Sequence, residues 1–140
     1  MAPSPAKRPF SVTLTAVLIF TLALINVWRF VALSGQLTLL LELGGSVDPR
    51  WRMGLALVWA VLFLDTAAAI WRRRARSRTV APLILFLYAA YELSSLAWFV
   101  QSPVARQGWL ADLLFYLLAI GWSSWALNRA AVHSYFRGKP

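Results

Sequence analysis

Trp71-Arg72-Arg73-Arg74-Ala75-Arg76-Ser77-Arg78 places five arginines in seven positions between two long apolar runs. Such a run cannot lie in hydrocarbon, where one basic side chain at a helix centre costs about 2.5–3.5 kcal/mol on insertion scales. The stretch therefore reads as a tight, water-facing loop. It splits the chain into two helical hairpins and fixes which side of a membrane each connection faces.

Composition agrees with that reading. Of the 140 residues, 60% are apolar and 14% charged, against about 45–50% and about 25% in soluble domains. Mean hydropathy is +0.63. The apolar residues form four separated runs, at 10–33, 51–71, 80–100 and 109–127. They predict an all-α, integral membrane four-helix bundle, built as a single membrane domain over residues 1–140.

A formal charge of +9 would suggest nucleic acid in a soluble protein. Here the basic residues flank the apolar runs, so anionic lipid headgroups are the expected partners and nucleic acid is not. Arg72, Arg73, Arg74, Arg76 and Arg78 are the residues expected to touch those headgroups. The absence of cysteine excludes disulfides, thiolate metal sites and thiol catalysis. His133 is the single histidine, too little for a metal site from this chain alone, and no cofactor is expected.

The first apolar run follows Lys7 and Arg8 as a secretory signal would. It is too long for a signal's apolar core and lacks a small-residue cleavage site, so it reads as a retained span opened by Pro9. Ser34-Gly35 interrupts it. Residues 36–43 are apolar but too short to cross about 30 Å of hydrocarbon; they are expected to lie at the interface as a short helix, or to re-enter. Asp48-Pro49 is a helix start, with an acceptor at the cap and proline at the first helical position. Thr79 is expected to cap span three, with Pro82 in its first turn. Gln101-Ser102-Pro103 closes that span, and the polar segment 128–140 follows span four, initially helical and near the interface.

Lysine and arginine count gives the orientation. Lys7, Arg8, the five loop arginines, Arg129, Arg137 and Lys139 fall on one side, ten in all, and Arg50, Arg52 and Arg106 on the other. Both termini are therefore expected in the cytoplasm. Trp28, Trp51, Trp71, Trp98, Trp109, Trp122 and Trp125, seven of the eight tryptophans, sit in the outer turns of spans as an aromatic belt.

Four ionisable residues fall within or near the spans: Arg29, Asp65, Glu92 and Asp112. By depth, Arg29, Glu92 and Asp112 share the half away from the arginine loop and can form one cluster, with Asn26 one turn from Arg29 to complete its hydrogen bonds. Arg29 with Glu92 is the expected pair. The cluster is either a structural lock between helices or a transport or ligand site, with Glu92 titrating and Arg29 as counter-ion or anion receptor. Asp65 is the second intramembrane acid, set nearer the arginine loop among Ala60, Thr66, Ala67, Ala68 and Ala69. Its expected partners are Arg72 or Arg73 curling back, or the Ser123 and Asn128 side of span four. His133 could ligate a haem or chlorin metal, but its neighbours suit a solvated histidine near headgroups.

No acyl-transfer, phosphate-loop or metalloprotease pattern is present, so no enzymatic activity is expected. The opening from Lys7 to Leu14, running on to Asn26 and Arg29, and the closing Leu127-Asn128-Arg129 with Val132 to Phe136, resemble small four-span bacterial inner-membrane proteins. That group has no assigned activity, so the resemblance implies layout and localisation alone. The expected role is a non-catalytic accessory or structural subunit packed on a larger membrane complex or on itself. The rival expectations are a small proton-coupled transporter working through Glu92 and a pigment- or quinone-binding subunit.

Overall fold

The computed structural model describes residues 8–44, 48–99 and 107–137. Six helices follow in order: α1 (Phe10–Gly35), α2 (Leu37–Glu42), α3 (Pro49–Trp71), α4 (Ser77–Phe99), α5 (Trp109–Asn128) and α6 (Ala130–Arg137). Four of them, α1, α3, α4 and α5, are long and apolar enough to cross a membrane. The fold is an all-α four-helix membrane bundle. Lys7, Val100, the Gln101-Ser102-Pro103 break, Arg106 and Lys139 lie outside the described residues.

Helix α1 packs on α3 and α5, and α4 packs on the same two, so α1 and α4 stand across the bundle from each other. The α1–α3 interface is the most extensive. The residues explain why: α3 buries Ala56 and Ala60, one turn apart on one face, whose small side chains let the α1 backbone approach. Opposite them, α1 buries Val12, Ala16, Ile19 and Ala23 at helical spacing. Phe63, Leu85, Ile70 and Leu127 fill the centre and are fully buried.

Each helix end has a local cause. Asp48 caps α3, its carboxylate accepting from Arg50 N at 2.8 Å, with Pro49 at the first position. At the other end of α3, Arg73 takes the left-handed conformation at φ 55°. Arg73 N donates to Ile70 O at 3.2 Å and Arg74 N to Ala69 O at 2.9 Å, the paired bonds of a Schellman turn. This turn reverses the chain so tightly that α4 begins at Ser77, not at Thr79 as the sequence suggested. Ser77 Oγ donates to Arg74 O at 2.7 Å, and Pro82 consequently lies inside the helix instead of its first turn.

The short apolar stretch is the six-residue helix α2, separated from α1 by Gln36 at φ −109°, ψ 6° and resting on α3. The C-terminal segment is helical from Ala130 to Arg137, as expected of its start. Helix α6 folds back on the bundle and buries Val132, Tyr135 and Phe136 in the common core, the one stripe its spacing places on a single face.

Candidate functional site

At the bundle end away from the arginine loop, Arg29 lies about 9 Å inside the end of α1 and Glu92 about 22 Å from the start of α4. As the first and third of four alternating spans the two helices run parallel, and Glu92 lies about 10 Å inside the end of α4, so those depths coincide. Arg29 Nη1 makes an ion pair with Glu92 Oε1 and also donates to Tyr88 Oη at 3.1 Å. Asn26, one turn along α1, donates from Nδ2 to Leu22 O at 2.9 Å and to Tyr88 Oη at 3.1 Å. Tyr88 in turn donates to Asn26 Oδ1 at 3.5 Å. The Tyr88 hydroxyl thus joins Asn26 and Arg29, and through Arg29 Glu92, residues that the sequence grouped only by depth.

The cluster lines a cleft of about 380 Å³ between α1, α3 and α4. Arg52, Tyr91 and Ser95 complete its polar wall, and Ala32, Leu33, Ala56 and Leu96 its apolar one. Glu92 is largely enclosed, with 13% of its side chain exposed, whereas Arg29 is 44% exposed. Asp112 does not line the cleft: it is exposed in the first turn of α5 and has no hydrogen bond or ion pair among the described residues.

Aromatic rings close the floor. Tyr88 meets Phe63 edge-on at 5.0 Å, Trp59 at 5.1 Å and Tyr116 at 5.8 Å. Beyond them, toward the arginine loop, the core is Phe63, Leu85, Ile19 and Val12, all fully buried. Among the described residues no polar chain runs from the cleft through this layer.

A second polar assembly sits at the arginine end. Arg78 donates from Nε to Leu127 O at 3.1 Å and from Nη2 to Asn128 Oδ1 at 3.1 Å, and it meets both ring nitrogens of His133. His133 is therefore held by a guanidinium between α4 and α6. Arg73 lies over the Tyr135 ring at 4.5 Å. Arg8 lies over Trp71 at 3.8 Å and donates to Tyr135 Oη at 3.0 Å. Of the five loop arginines, Arg73 and Arg78 turn back onto α6, and Arg72, Arg74 and Arg76 are exposed.

Asp65 stands apart. It is exposed on α3, on the side opposite the buried Phe63 and Ile70. None of its expected partners reaches it: Arg72 is exposed and makes no ion pair among the described residues, Arg73 covers Tyr135, Asn128 binds Arg78, and Ser123 Oγ donates to Ile120 O at 3.0 Å. Among the described residues no group of three or more His, Asp or Glu side chains could hold a metal ion.

Sequence reasoning missed Tyr88, Arg52 and Ser95. Tyr88 precedes Glu92 by four residues and so shares its helix face, a signal that was available but hidden in an aromatic-rich apolar run. Comparison with family models, with curated proteins and with solved structures finds no match to this chain.

Proposed function

We propose that this chain is a non-catalytic multi-pass subunit of the bacterial inner membrane, with both termini in the cytoplasm, that packs sideways on a larger membrane complex. The observation that supports this most is Asp65. It lies about 9 Å before the end of α3, within the hydrocarbon of a spanning helix. Side chains on a helix tilt toward its N-terminus, so this carboxylate is directed away from the nearer interface and is too short to reach it. A carboxylate on an outward face at that depth calls for a partner in the membrane.

The face around it suits a helix. Gly54, Val58, Val61, Asp65 and Ala68 recur at alternate spacings of four and three residues, and the small residues permit close approach. A second copy in the same orientation would set Asp65 against Asp65. A different protein, with a basic or hydrogen-bond-donating side chain at that depth, satisfies it. The test is a photo-reactive residue in place of Val61 in growing cells. A discrete adduct with another membrane protein, reduced by Asp65→Leu, is the expected result; labelling of lipid alone, or of the chain itself, contradicts the proposal.

The transporter reading draws on Glu92 lining a cleft, but the carboxylate is held by Arg29 and the cleft ends on an aromatic floor. Proton-driven uptake by reconstituted protein, lost in Glu92→Gln, would favour it instead.

A further inference from the structure

We propose that the cleft at the Arg29 end binds one phosphate-type oxyanion between the guanidinium groups of Arg29 and Arg52. Both line the same cleft of about 380 Å³, which also contains the Glu92 carboxylate. Two guanidinium groups against one carboxylate leave the cleft with a single excess positive charge. Glu92 and Tyr88 occupy only Nη1 of Arg29, and Nη2 and Nε make no hydrogen bond among the described residues. Arg52 is exposed on α3 and has no ion pair among the described residues.

The polar neighbours are oriented to leave this role to the arginines. Asn26 turns its amide to Leu22 O and Tyr88, and Ser95 Oγ donates to Glu92 O at 2.8 Å. What is left to bind an anion in the cleft is guanidinium, with the Tyr91 hydroxyl as a further donor. A planar guanidinium fork matches the oxygen spacing of a phosphate, and two converging forks bind it better than one. The depths fit as well: Arg52 is about 4.5 Å inside the start of α3 and Arg29 about 9 Å inside the end of α1, the zone where phosphate headgroups meet hydrocarbon. The apolar wall of Ala32, Leu33, Ala56 and Leu96 can take the glycerol and first methylenes of a lipid. The site is independent of Asp65 and of the subunit reading.

The shared chemistry has two sources, an anionic phospholipid headgroup and soluble phosphate, and the experiment separates them. The protein carries Arg72→Gln, Arg74→Gln and Arg76→Gln, which remove three of the exposed cations of the far end. It is placed in nanodiscs of phosphatidylglycerol mixed with phosphatidylcholine, and the lipids retained on release are counted by native mass spectrometry. A second set of discs, of phosphatidylcholine alone, is titrated with inorganic phosphate and followed by phosphorus NMR.

Retention of phosphatidylglycerol over phosphatidylcholine by about tenfold is expected, falling to about twofold or less in Arg52→Gln. Arg52 is exposed and outside the core, so this variant keeps its helical circular dichroism. Arg29→Gln is the companion variant. Phosphate binding in the second set, abolished by Arg52→Gln, supports the site with soluble anion as its source. No preference in either set, or a preference that Arg52→Gln leaves intact, overturns the proposal.

Discussion

Removing one oxygen from Tyr88 tests whether the polar cluster holds the bundle together. In Tyr88→Phe the ring keeps its edge-on contacts with Phe63, Trp59 and Tyr116, so no cavity forms. What goes is the hydroxyl, which accepts from Asn26 Nδ2 and from Arg29 Nη1 at 3.1 Å each. Hydrogen bonds between membrane helices average about 0.6 kcal/mol and reach about 1.7. Two such bonds, one to a cation, give about 1–3 kcal/mol. Asn26 is fully buried and its Oδ1 has Tyr88 as its hydrogen-bond partner, so an orphaned acceptor pushes the cost to about 2 kcal/mol or more. That is about a 30-fold fall in the folding equilibrium. Steric-trapping measurements in bicelles read this directly. Tyr91→Phe is the control, because its hydroxyl makes no hydrogen bond among the described residues, and it should change stability by less than about 0.5 kcal/mol. Equal, small effects of the two substitutions would refute the view that this hydroxyl ties α1 to α4.

The same view predicts coupling between Arg29 and Glu92: a double-mutant cycle with Arg29→Gln and Glu92→Gln in bicelles should give about 1–2 kcal/mol, below a fully buried pair because Arg29 is half exposed. Arg73 holds left-handed backbone and stacks on Tyr135, so Arg73→Ala keeps the strain and loses the stack. It should be less stable than Arg73→Gly by about 1 kcal/mol in the same assay. Arg78→Ala removes the bonds to Leu127 O and Asn128 and the contact with His133; helix α6 should then be cut several-fold faster in limited proteolysis, while the four spans stay protected.

How much the sequence reveals depends on whether a residue's environment follows from its position along one helix. The four spans do, since apolar length sets them, and so does the Asp48-Pro49 start, whose capping chemistry is local. Arg29 and Glu92 could be matched from depth alone because an up-and-down bundle turns residue counts into heights. Tyr88 could not, because an aromatic in an apolar run looks the same whether its hydroxyl is a hub or a headgroup contact. The loop arginines illustrate the same limit. Arg72, Arg74 and Arg76 face outward as charge would suggest, but Arg73 and Arg78 reach a short helix whose buried stripe, Val132, Tyr135 and Phe136, spans barely one turn. Asp65 is the converse case: a carboxylate at that depth demands a partner, and none of the described residues supplies one.

The most direct test of the subunit reading is the mass of the particle extracted from native membranes by an amphipathic polymer, without detergent. The account predicts that the 15.7 kDa chain emerges with a larger, different membrane protein at a fixed ratio, and that Asp65→Leu releases it as a bare, fully folded bundle. An identical particle for both proteins, holding only this chain or copies of it, would contradict the account.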